Sequence, residues 1–319
     1  MIVARTIGEA RAALRALPRP LGFVPTMGAL HAGHLSLVEA AKTRCVGVAA
    51  SVFVNPAQFG RGEDFARYPR DEARDLRLLE QAGVAVTFAP AADEMYPDGF
   101  ATGIHVYGPL TEGFEGASRA GHFDGVAVIV TKLLGVVQPD VLYLGEKDAQ
   151  QLAVVRRFVR DLDLPVDVVG VPTVREPDGL AMSSRNVYLD GRERRQASGL
   201  YRALLTGAAA AEAPGAAAKD AVVAATSALL LPDPAVPREP DAPLPPPAFA
   251  IDYIAVVDAD TFAPQQEIGP RSLLVAAVRL GSTRLIDNVS LAPAPLRGRA
   301  AAPSPASSPS AYPAGDATA

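Results

Sequence analysis

Short apolar runs alternate with amphipathic stretches along the first 175 residues of the chain. Continuous apolar runs, typical of strands covered on both faces, occur at residues 21–24, 46–54, 84–89, 141–144 and 166–171. Between them, apolar side chains recur at helical spacing over residues 31–44, 71–82, 124–137 and 148–161. This alternation predicts an α/β fold with a Rossmann-like, doubly wound parallel sheet, whose ligands bind at the carboxyl ends of the strands.

The pattern changes after residue 175. A helical stretch over residues 192–231 is followed by strand-like runs at 249–257, 272–280 and 283–290, which predicts a smaller C-terminal α+β domain. Proline and acidic residues dominate 231–247, a composition typical of a linker or long loop. We therefore predict one domain over 1–175, a smaller one over 176–291 with an insertion at 231–247, and a disordered tail over 292–319.

Composition excludes several classes of function. The chain has 319 residues, of which 49% are hydrophobic, so it can bury a sizeable core. A net charge of −5 gives no bulk attraction to nucleic acid or to anionic membranes, and no signal peptide or membrane-spanning run is apparent. The single Cys45 excludes an internal disulfide and fits a reducing compartment. These features predict a cytoplasmic protein that acts on small molecules.

One glycine-rich segment joins the first apolar run to the first amphipathic stretch. It covers residues 25–34, with the sequence PTMGALHAGH, and holds two of the four histidines. His31 and His34 are three residues apart and share one face of the predicted helix. A helix N-terminus offers unpaired N–H groups and the positive end of the helix dipole, so this turn suits a phosphate. From this motif alone, histidines that only cap the helix or lie at the surface are as well supported as histidines that bind a phosphate.

Amide side chains follow the next apolar run. Asn55 and Gln58 can each donate and accept hydrogen bonds, which suits a polar hydroxy acid or an amine as substrate. Taken alone, the Asn-Pro pair at 55–56 is better explained as an ordinary turn. Residues 63–70 form a charged stretch before a helix, which in isolation predicts a solvated loop.

Two further polar segments follow predicted strands. Lys147 can neutralise charge on transferring phosphate oxygens, while Asp148 can accept a hydrogen bond from a ribose hydroxyl or cap a helix. Ser183, Ser184 and Arg185 place two hydroxyls beside a guanidinium, a compact set of phosphate donors, although such a triplet also occurs by chance in loops. Because the carboxyl ends of parallel strands meet at one edge of a sheet, we expect these segments to converge.

As a set, these segments closely resemble the pantothenate synthetase family of the HIGH-type nucleotidylyltransferase superfamily. The resemblance spans about residues 6–291 and includes PTMGALHAGH at 25–34, FVNPAQFG at 53–60, EDFARYPRD at 63–71, FEGASRAGHFDGV at 114–126, VQPDVLYLGEKDAQQL at 137–152 and DGLAMSSRNVYL at 178–189. It implies an ATP-dependent ligase that converts pantoate to pantoyl adenylate and pyrophosphate. β-Alanine then attacks the adenylate to give pantothenate and AMP. It further implies Mg²⁺ with the ATP, and a homodimer.

The resemblance also implies roles for individual residues. The ATP contacts would be Met27, Gly28, Ala29, Leu30, His31, Ala32, Gly33, His34, Gly145, Glu146, Lys147, Asp148, Val174, Met182, Ser183, Ser184 and Arg185. Gln58 and Gln151 would hold pantoate. Asn55, Tyr68 and Arg119 are further substrate candidates, Arg119 and His122 belong to a closing loop, and Asp75 is the metal candidate.

Four of these residues are the catalytic candidates: His31, His34, Lys147 and Arg185. His34 corresponds to the histidine usually assigned as proton donor in the family. Pyrophosphate needs no proton to leave, however, so the residues themselves favour His31 and His34 as hydrogen-bond donors to the phosphates.

The sequence departs from the family pattern at two positions, and two other functions are alternatives. Ala120 stands where the family usually has proline, which would loosen that loop, and Asp71 replaces a commoner threonine. A related nucleotidyltransferase acting on a phosphorylated substrate is one alternative, although the paired glutamines suit an uncharged diol better. The other is a non-catalytic nucleotide-binding or scaffold protein, against which the retained lysine and histidines argue.

Overall fold

The computed structural model describes residues 1–60, 62–230 and 248–291. The predicted insertion at 231–247 and the predicted tail at 292–319 lie outside the described residues. Within the described chain, no helix combines the length and the apolar character that a membrane crossing requires.

A parallel sheet forms the N-terminal part, as predicted, and it has six strands, one more than the apolar runs indicate. Its strands are β1 (Ile2–Ala4), β2 (Leu21–Thr26), β3 (Gly47–Val52), β4 (Val86–Phe88), β5 (Val141–Gly145) and β6 (Asp167–Val171). They lie in the order β1-β4-β3-β2-β5-β6, and every neighbouring pair is parallel. The order reverses direction beside β2, which places a topological switch point at the end of the strand that precedes the histidine pair.

Helices cover both faces of this sheet. They are α1 (Ile7–Arg15), α2 (Ala32–Arg44), α3 (Glu72–Gln81), α4 (Ala92–Met95), α5 (Pro109–Glu112), α6 (Glu115–Ser118), α7 (His122–Val137) and α8 (Ala149–Asp161). Successive residues of β2 show why its sequence is continuously apolar: Phe23 packs in the core with α7, and Val24 packs on the opposite face with α2. Burial on both faces therefore fixes β2 beneath the loop that leads to α2.

The C-terminal part is a three-stranded antiparallel sheet with helices on one face. The predicted helical stretch at 192–231 is divided into α9 (Gly191–Ala197), α10 (Gly199–Ala211) and α11 (Ala218–Leu230), and the strands are β7 (Phe249–Asp258), β8 (Ser272–Leu280) and β9 (Thr283–Ser290). Leu274 packs with α10 and α11, whereas the next residue, Val275, belongs to the core of the N-terminal part. Because the sheet is apolar on both faces, it docks firmly on the first domain and closes one side of a cleft.

Candidate active site

The polar segments predicted from the sequence converge at the carboxyl ends of β2, β3 and β5. They surround a cavity of about 230 Å³, which we call the inner cavity. Its lining includes Met27, His31, Gly33, His34, Asn55, Gln58, Tyr68, Arg119, His122, Gly145, Lys147, Asp148, Gln151, Val174, Met182, Ser183, Ser184 and Arg185. A second cavity of about 350 Å³ shares Lys147, Asp148 and Gln151 with the first and extends towards β8 and β9. The site therefore lies between the two sheets.

The two histidines at the start of α2 cap the helix and also line the inner cavity. His31 is the N-cap residue, and its Nδ1 accepts from the backbone N–H of Gly33 at 3.1 Å. The Nδ1 of His34 accepts from the backbone N–H of His31 at 3.4 Å, and the ring centroids are 4.1 Å apart. An imidazole that accepts at Nδ1 carries its proton at Nε2 when it is neutral. Each ring therefore combines a capping role with one free N–H donor.

Both rings are uncharged at neutral pH. Burial, with a smaller effect of the Lys147 charge, lowers the pKa of His31 to about 4. Burial and the neighbouring His31 lower the pKa of His34 to about 3. A neutral imidazole can donate a hydrogen bond but has no extra proton to give at pH 7, so the electrostatics favour hydrogen-bond donation over proton transfer.

We expect the side-chain resonances of His31 and His34 to show no protonation between pH 8 and about pH 5, because burial keeps the folded pKa values below that range. The unfolded chain takes up protons near pH 6.5. These histidines should therefore make the free energy of unfolding fall as the pH drops from about 6.5 towards 4. Nuclear magnetic resonance titration of the four histidines checks the first expectation. A midpoint near pH 6.5 for His34 would contradict it.

Asp75 shapes the glycine-rich turn. Its carboxylate is 1% exposed, and it accepts the backbone N–H groups of Ala29 and Leu30, each at 2.8 Å. Gly28 has φ +79°, and a Cβ there would approach the Asp75 carboxylate to 2.9 Å, so the turn requires glycine. Because both of its oxygens accept hydrogen bonds from the turn, the structure favours a role for Asp75 in shaping the turn over its predicted role as a metal ligand.

The same contacts reduce the number of backbone groups that can bind the nucleotide as predicted. Since the N–H groups of Ala29 and Leu30 already donate to Asp75, they are not free to bind a phosphate, and the Leu30 side chain is buried in the core. Some of the residues predicted to contact ATP lie outside the lining of both cavities, namely Gly28, Ala29, Leu30, Ala32 and Glu146. Donors for phosphate must come mainly from side chains rather than from this stretch of backbone.

The variant Asp75→Asn should lower the free energy of unfolding by about 1–3 kcal/mol, because an amide can accept from one of the two N–H groups but opposes the other with its own donor. The Mg²⁺ concentration that gives half-maximal activity should stay unchanged. Urea unfolding and a magnesium titration measure the two quantities. Asp71→Asn is the matched control, since Asp71 caps the same helix and asparagine caps equally well. Unchanged stability with a raised magnesium requirement would restore the metal assignment.

Asn55 holds Gln58 in place. The Asn55 side chain is 1% exposed, and its amide nitrogen donates to Gln58 Oε1 and to the Gly125 carbonyl, each at 3.1 Å. Its oxygen accepts from the Tyr96 hydroxyl at 2.7 Å and from the Ala57 N–H at 3.3 Å. All the hydrogen-bonding capacity of Asn55 is therefore used within the protein, which corrects its prediction as a substrate contact. Tyr96 had no recognisable signal in the sequence.

The side chains of Gln58 and Gln151 keep hydrogen-bonding capacity for a ligand. Gln58 Nε2 donates to the sulfur of Met27 at 3.0 Å, and a thioether is a weak acceptor that an oxygen atom can replace. Gln151 lines both cavities, and its side chain makes no hydrogen bond with the described part of the chain. Two amides with hydrogen-bonding capacity to spare thus face one cavity, and they are the pair that the family resemblance implies.

Two consecutive carboxylates hold the two arginines of the site. The Arg119 guanidinium donates to Glu63 at 2.8 and 2.6 Å, and the Arg185 guanidinium donates to Asp64 twice at 2.8 Å. Arg185 holds the pKa of Asp64 below its usual range despite the opposing effect of burial. The prediction of a solvated loop is wrong for these two acids, because the Glu63 and Asp64 side chains are 22% and 13% exposed.

His122 completes this arrangement beside Arg119. Its Nε2 accepts from Arg119 Nη1 at 3.1 Å, while Nδ1 donates to the Gln58 carbonyl at 2.8 Å. Burial and the Arg119 charge lower the pKa of His122 to about 4, so this ring is also neutral. The loop at 119–122 therefore supports the backbone of Gln58 as well as reaching the cavity.

Lys147 lies on a single turn between β5 and α8. Its side chain is 19% exposed, and the distance from Nζ to Asp148 Oδ1 is 3.7 Å. Opposite it, Ser183 Oγ accepts the N–H of Arg185 at 3.3 Å, and Ser184 Oγ donates to the Ala29 carbonyl at 3.0 Å. Ser184 thus ties this segment to the glycine-rich turn, while the Ser183 hydroxyl hydrogen remains available to an acceptor.

The residues present fit a magnesium ion that arrives with a nucleotide. Within residues 1–60, 62–230 and 248–291, no three His, Cys, Asp or Glu side chains lie close enough together to hold a metal. Mg²⁺ is usually bound by one or two carboxylates together with substrate phosphates. Asp148 supplies a carboxylate on the lining of both cavities.

Comparison with known proteins agrees with this geometry. The family model for pantoate-beta-alanine ligase matches residues 2–290. A pantothenate synthetase of Thermus thermophilus is 52% identical over 289 residues, which cover 90% of this chain and 98% of that protein. The corresponding protein of Chloroflexus aggregans is 51% identical over 290 residues, covering 90% of this chain and 99% of the relative.

Solved structures give the same result. A crystal structure of the Thermus thermophilus pantothenate synthetase superposes with a TM-score of 0.83 at 52% identity and covers 92% of this chain and 100% of its own. The pantoate-beta-alanine ligase of Francisella tularensis, complexed with beta-gamma ATP and beta-alanine, has a TM-score of 0.72 at 31% identity and covers 91% of this chain and 98% of its own. The chain therefore belongs to the pantoate-beta-alanine ligase family.

Proposed function

We propose that this chain joins pantoate to β-alanine with ATP, through a pantoyl adenylate formed in the inner cavity. One observation carries the proposal: two amides with hydrogen-bonding capacity to spare, two neutral N–H donors and a lysine converge on the same cavity. The family assignment and the ligands of the Francisella tularensis structure support the identity of the substrates.

Pantoate would bind through the two glutamines. Its hydroxyls can both donate and accept, and so can the amides of Gln58 and Gln151. Asn55 fixes the amide of Gln58 at 3.1 Å, so little rotamer freedom is lost when pantoate replaces the Met27 sulfur as its partner. Pre-orientation of this kind favours one position of the pantoate carboxylate.

The first step needs charge stabilisation and positioning. A carboxylate oxygen of pantoate attacks the α-phosphorus of ATP, the bond from that phosphorus to the bridging oxygen breaks, and pyrophosphate leaves with the electron pair. Lys147 and the Nε2–H groups of His31 and His34 would bind the oxygens on which negative charge grows. Arg185 contributes a guanidinium whose orientation is fixed by Asp64.

In the second step the amine of β-alanine attacks the acyl carbon. The bond from that carbon to the oxygen shared with phosphorus breaks, AMP leaves with this oxygen, and the attacking nitrogen loses a proton. Enclosure between the two sheets limits competing attack by water on the adenylate. Mg²⁺ would be held by the phosphate oxygens and Asp148, and it would neutralise part of the triphosphate charge.

The test is to follow AMP, pyrophosphate and pantothenate with purified protein, ATP, Mg²⁺ and pantoate, in the presence and absence of β-alanine. The proposal predicts equimolar AMP and pantothenate only when β-alanine is present. Absence of all three products from folded, ATP-binding protein would overturn it. Turnover only with a phosphorylated acceptor would favour the related nucleotidyltransferase.

We also propose, from the resemblance, that the protein is a homodimer of the cytoplasm. Light scattering should then give twice the chain mass of 33.2 kDa. A mass equal to that of one chain would contradict the dimer. A pantothenate-forming activity that fractionates with the cytoplasm would support the location.

A further inference from the structure

Strand β9 contains the segment Arg-Leu-Ile-Asp-Asn at 284–288, whose three polar residues have no role in the mechanism proposed above. Its last residue reaches across the cleft to the lysine turn. The Asn288 side-chain nitrogen donates to the carbonyls of Glu146 and Lys147, each at 3.0 Å. An amide nitrogen has two hydrogens, so one side chain satisfies both carbonyls. Two hydrogen bonds therefore attach the C-terminal sheet to the backbone of the turn that carries Lys147.

Asn288 is itself firmly anchored. The neighbouring Asp287 is 3% exposed and forms a two-point ion pair with Arg175, at 2.6 and 3.0 Å. Asp287 also accepts the backbone N–H of Asn288 at 2.8 Å, and the guanidinium of Arg175 lies 3.6 Å from the ring centroid of Tyr201. A buried, two-point pair has a defined geometry, so Asn288 donates from a fixed position.

The same strand makes a second contact with the site. Arg284 donates to Glu115 Oε2 at 2.7 Å, and the Tyr253 hydroxyl donates to Glu115 Oε1 at 2.8 Å. The Glu115 side chain is only 10% exposed, and Arg119 lies one helical turn further along the chain. Strand β9 thus contacts the turn that carries Lys147 and the short helix that leads to Arg119.

We infer that Asn288 is a positioning residue, which fixes the turn at 146–148 so that Lys147 Nζ meets the phosphate oxygens in the adenylation step. The inference rests on the proposed function. It explains why a small C-terminal sheet accompanies a first domain that already carries the lysine, the histidines and the glutamines. Loss of Asn288 frees two backbone carbonyls and leaves Lys147 chemically intact but poorly placed.

The experiment compares four proteins: wild type, Asn288→Ala, Lys147→Ala and the double variant. The readout is pantoate-dependent pyrophosphate release, from which kcat and the KM for pantoate are obtained separately. We expect Asn288→Ala to lower kcat about ten- to a hundredfold, because a displacement of about 1 Å in a group that contacts the reacting atoms lowers the rate by about this factor. The KM for pantoate should change less than about twofold, since Gln58 lies in a separate segment after β3 and Gln151 is held by helix α8, beyond the turn.

A double-mutant comparison separates positioning from general damage. If Asn288 acts through Lys147, its removal in the Lys147→Ala background should lower kcat by no more than about twofold. Asp260→Asn is the control in the same domain, because among the described residues the exposed Asp260 carboxylate pairs with the exposed Arg271 alone. If Asn288→Ala does not fold, Asn288→Ser, which keeps one donor, should give an intermediate loss of kcat.

The outcomes are distinguishable. Wild-type kcat in Asn288→Ala, or the same fold-loss in both backgrounds, would overturn the inference while leaving the proposed function intact. Wild-type protein that releases no pyrophosphate with pantoate would overturn the proposed function itself. A large loss confined to the background with Lys147 would support the inference.

Discussion

Replacing Lys147 by alanine is expected to lower kcat for pyrophosphate release about 10²- to 10³-fold, the effect typical of removing one preorganised donor from a transition state. The Lys147 side chain is mostly buried, and within the described residues the acidic oxygen nearest to its Nζ is 3.7 Å away, on Asp148. A charge in such a setting is less screened than one in water, so its effect on a developing negative charge is large.

Pantoate binding should change little in this variant, because the glutamines rather than the lysine hold pantoate in our proposal. Calorimetric titration with pantoate gives Kd, and rapid quench gives the rate of pyrophosphate release. Lys219→Ala is the matched control, since Lys219 is an exposed lysine on α11. Unchanged turnover in folded Lys147→Ala, or an equal loss in binding and rate, would remove the lysine from its proposed role.

The second large effect is expected at His34, where two substitutions separate the functions of the ring nitrogens. Asparagine places an oxygen near the position of Nδ1, so His34→Asn keeps the hydrogen bond from the His31 N–H but loses the Nε2–H donor. We expect kcat to fall about 10²- to 10³-fold in that variant. Glutamine places an N–H donor near the position of Nε2, so the kcat of His34→Gln should stay within about tenfold of wild type.

The comparison decides between hydrogen-bond donation and proton transfer. With a pKa of about 3, His34 is neutral at pH 7 and acts as a donor without releasing its proton. If it were the general acid, His34→Gln would lose as much activity as His34→Asn, and the wild-type rate would follow a titration. Initial rates from pH 6 to pH 9 for all three proteins provide the measurement.

The sequence was most informative where a local pattern has one physical solution. Leu21–Thr26 is apolar without alternation because helices cover both faces of β2, and the cluster of polar side chains at the strand ends followed from parallel topology. The short edge strand Ile2–Ala4 was not predicted, since three residues carry too little periodicity. The following helix, Ile7–Arg15, was missed although Thr6 and Glu9 form a capping box at its start. The helical stretch predicted over 192–231 is divided near Ser198 and again between Ala211 and Ala218, where Pro214 interrupts the alanine-rich sequence.

Side-chain partners distant in sequence were not predictable. Asp75 matched the chemistry of a metal ligand, but only the fold reveals that a turn 45 residues earlier occupies its oxygens. Glu63 and Asp64 resembled a solvated stretch because their partners, Arg119 and Arg185, lie 56 and 121 residues away. Residue type limits what a side chain can do, whereas its tertiary neighbours decide which of those roles remains.

The most direct test of the central claim is to supply pantoate labelled with ¹⁸O in its carboxylate and to locate the label after one turnover with ATP and β-alanine. Attack on the α-phosphorus, followed by acyl transfer to the amine, leaves one labelled oxygen on AMP, and mass spectrometry should find it there. Label in pyrophosphate or inorganic phosphate, with unlabelled AMP, would contradict a pantoyl adenylate and with it the account of this site.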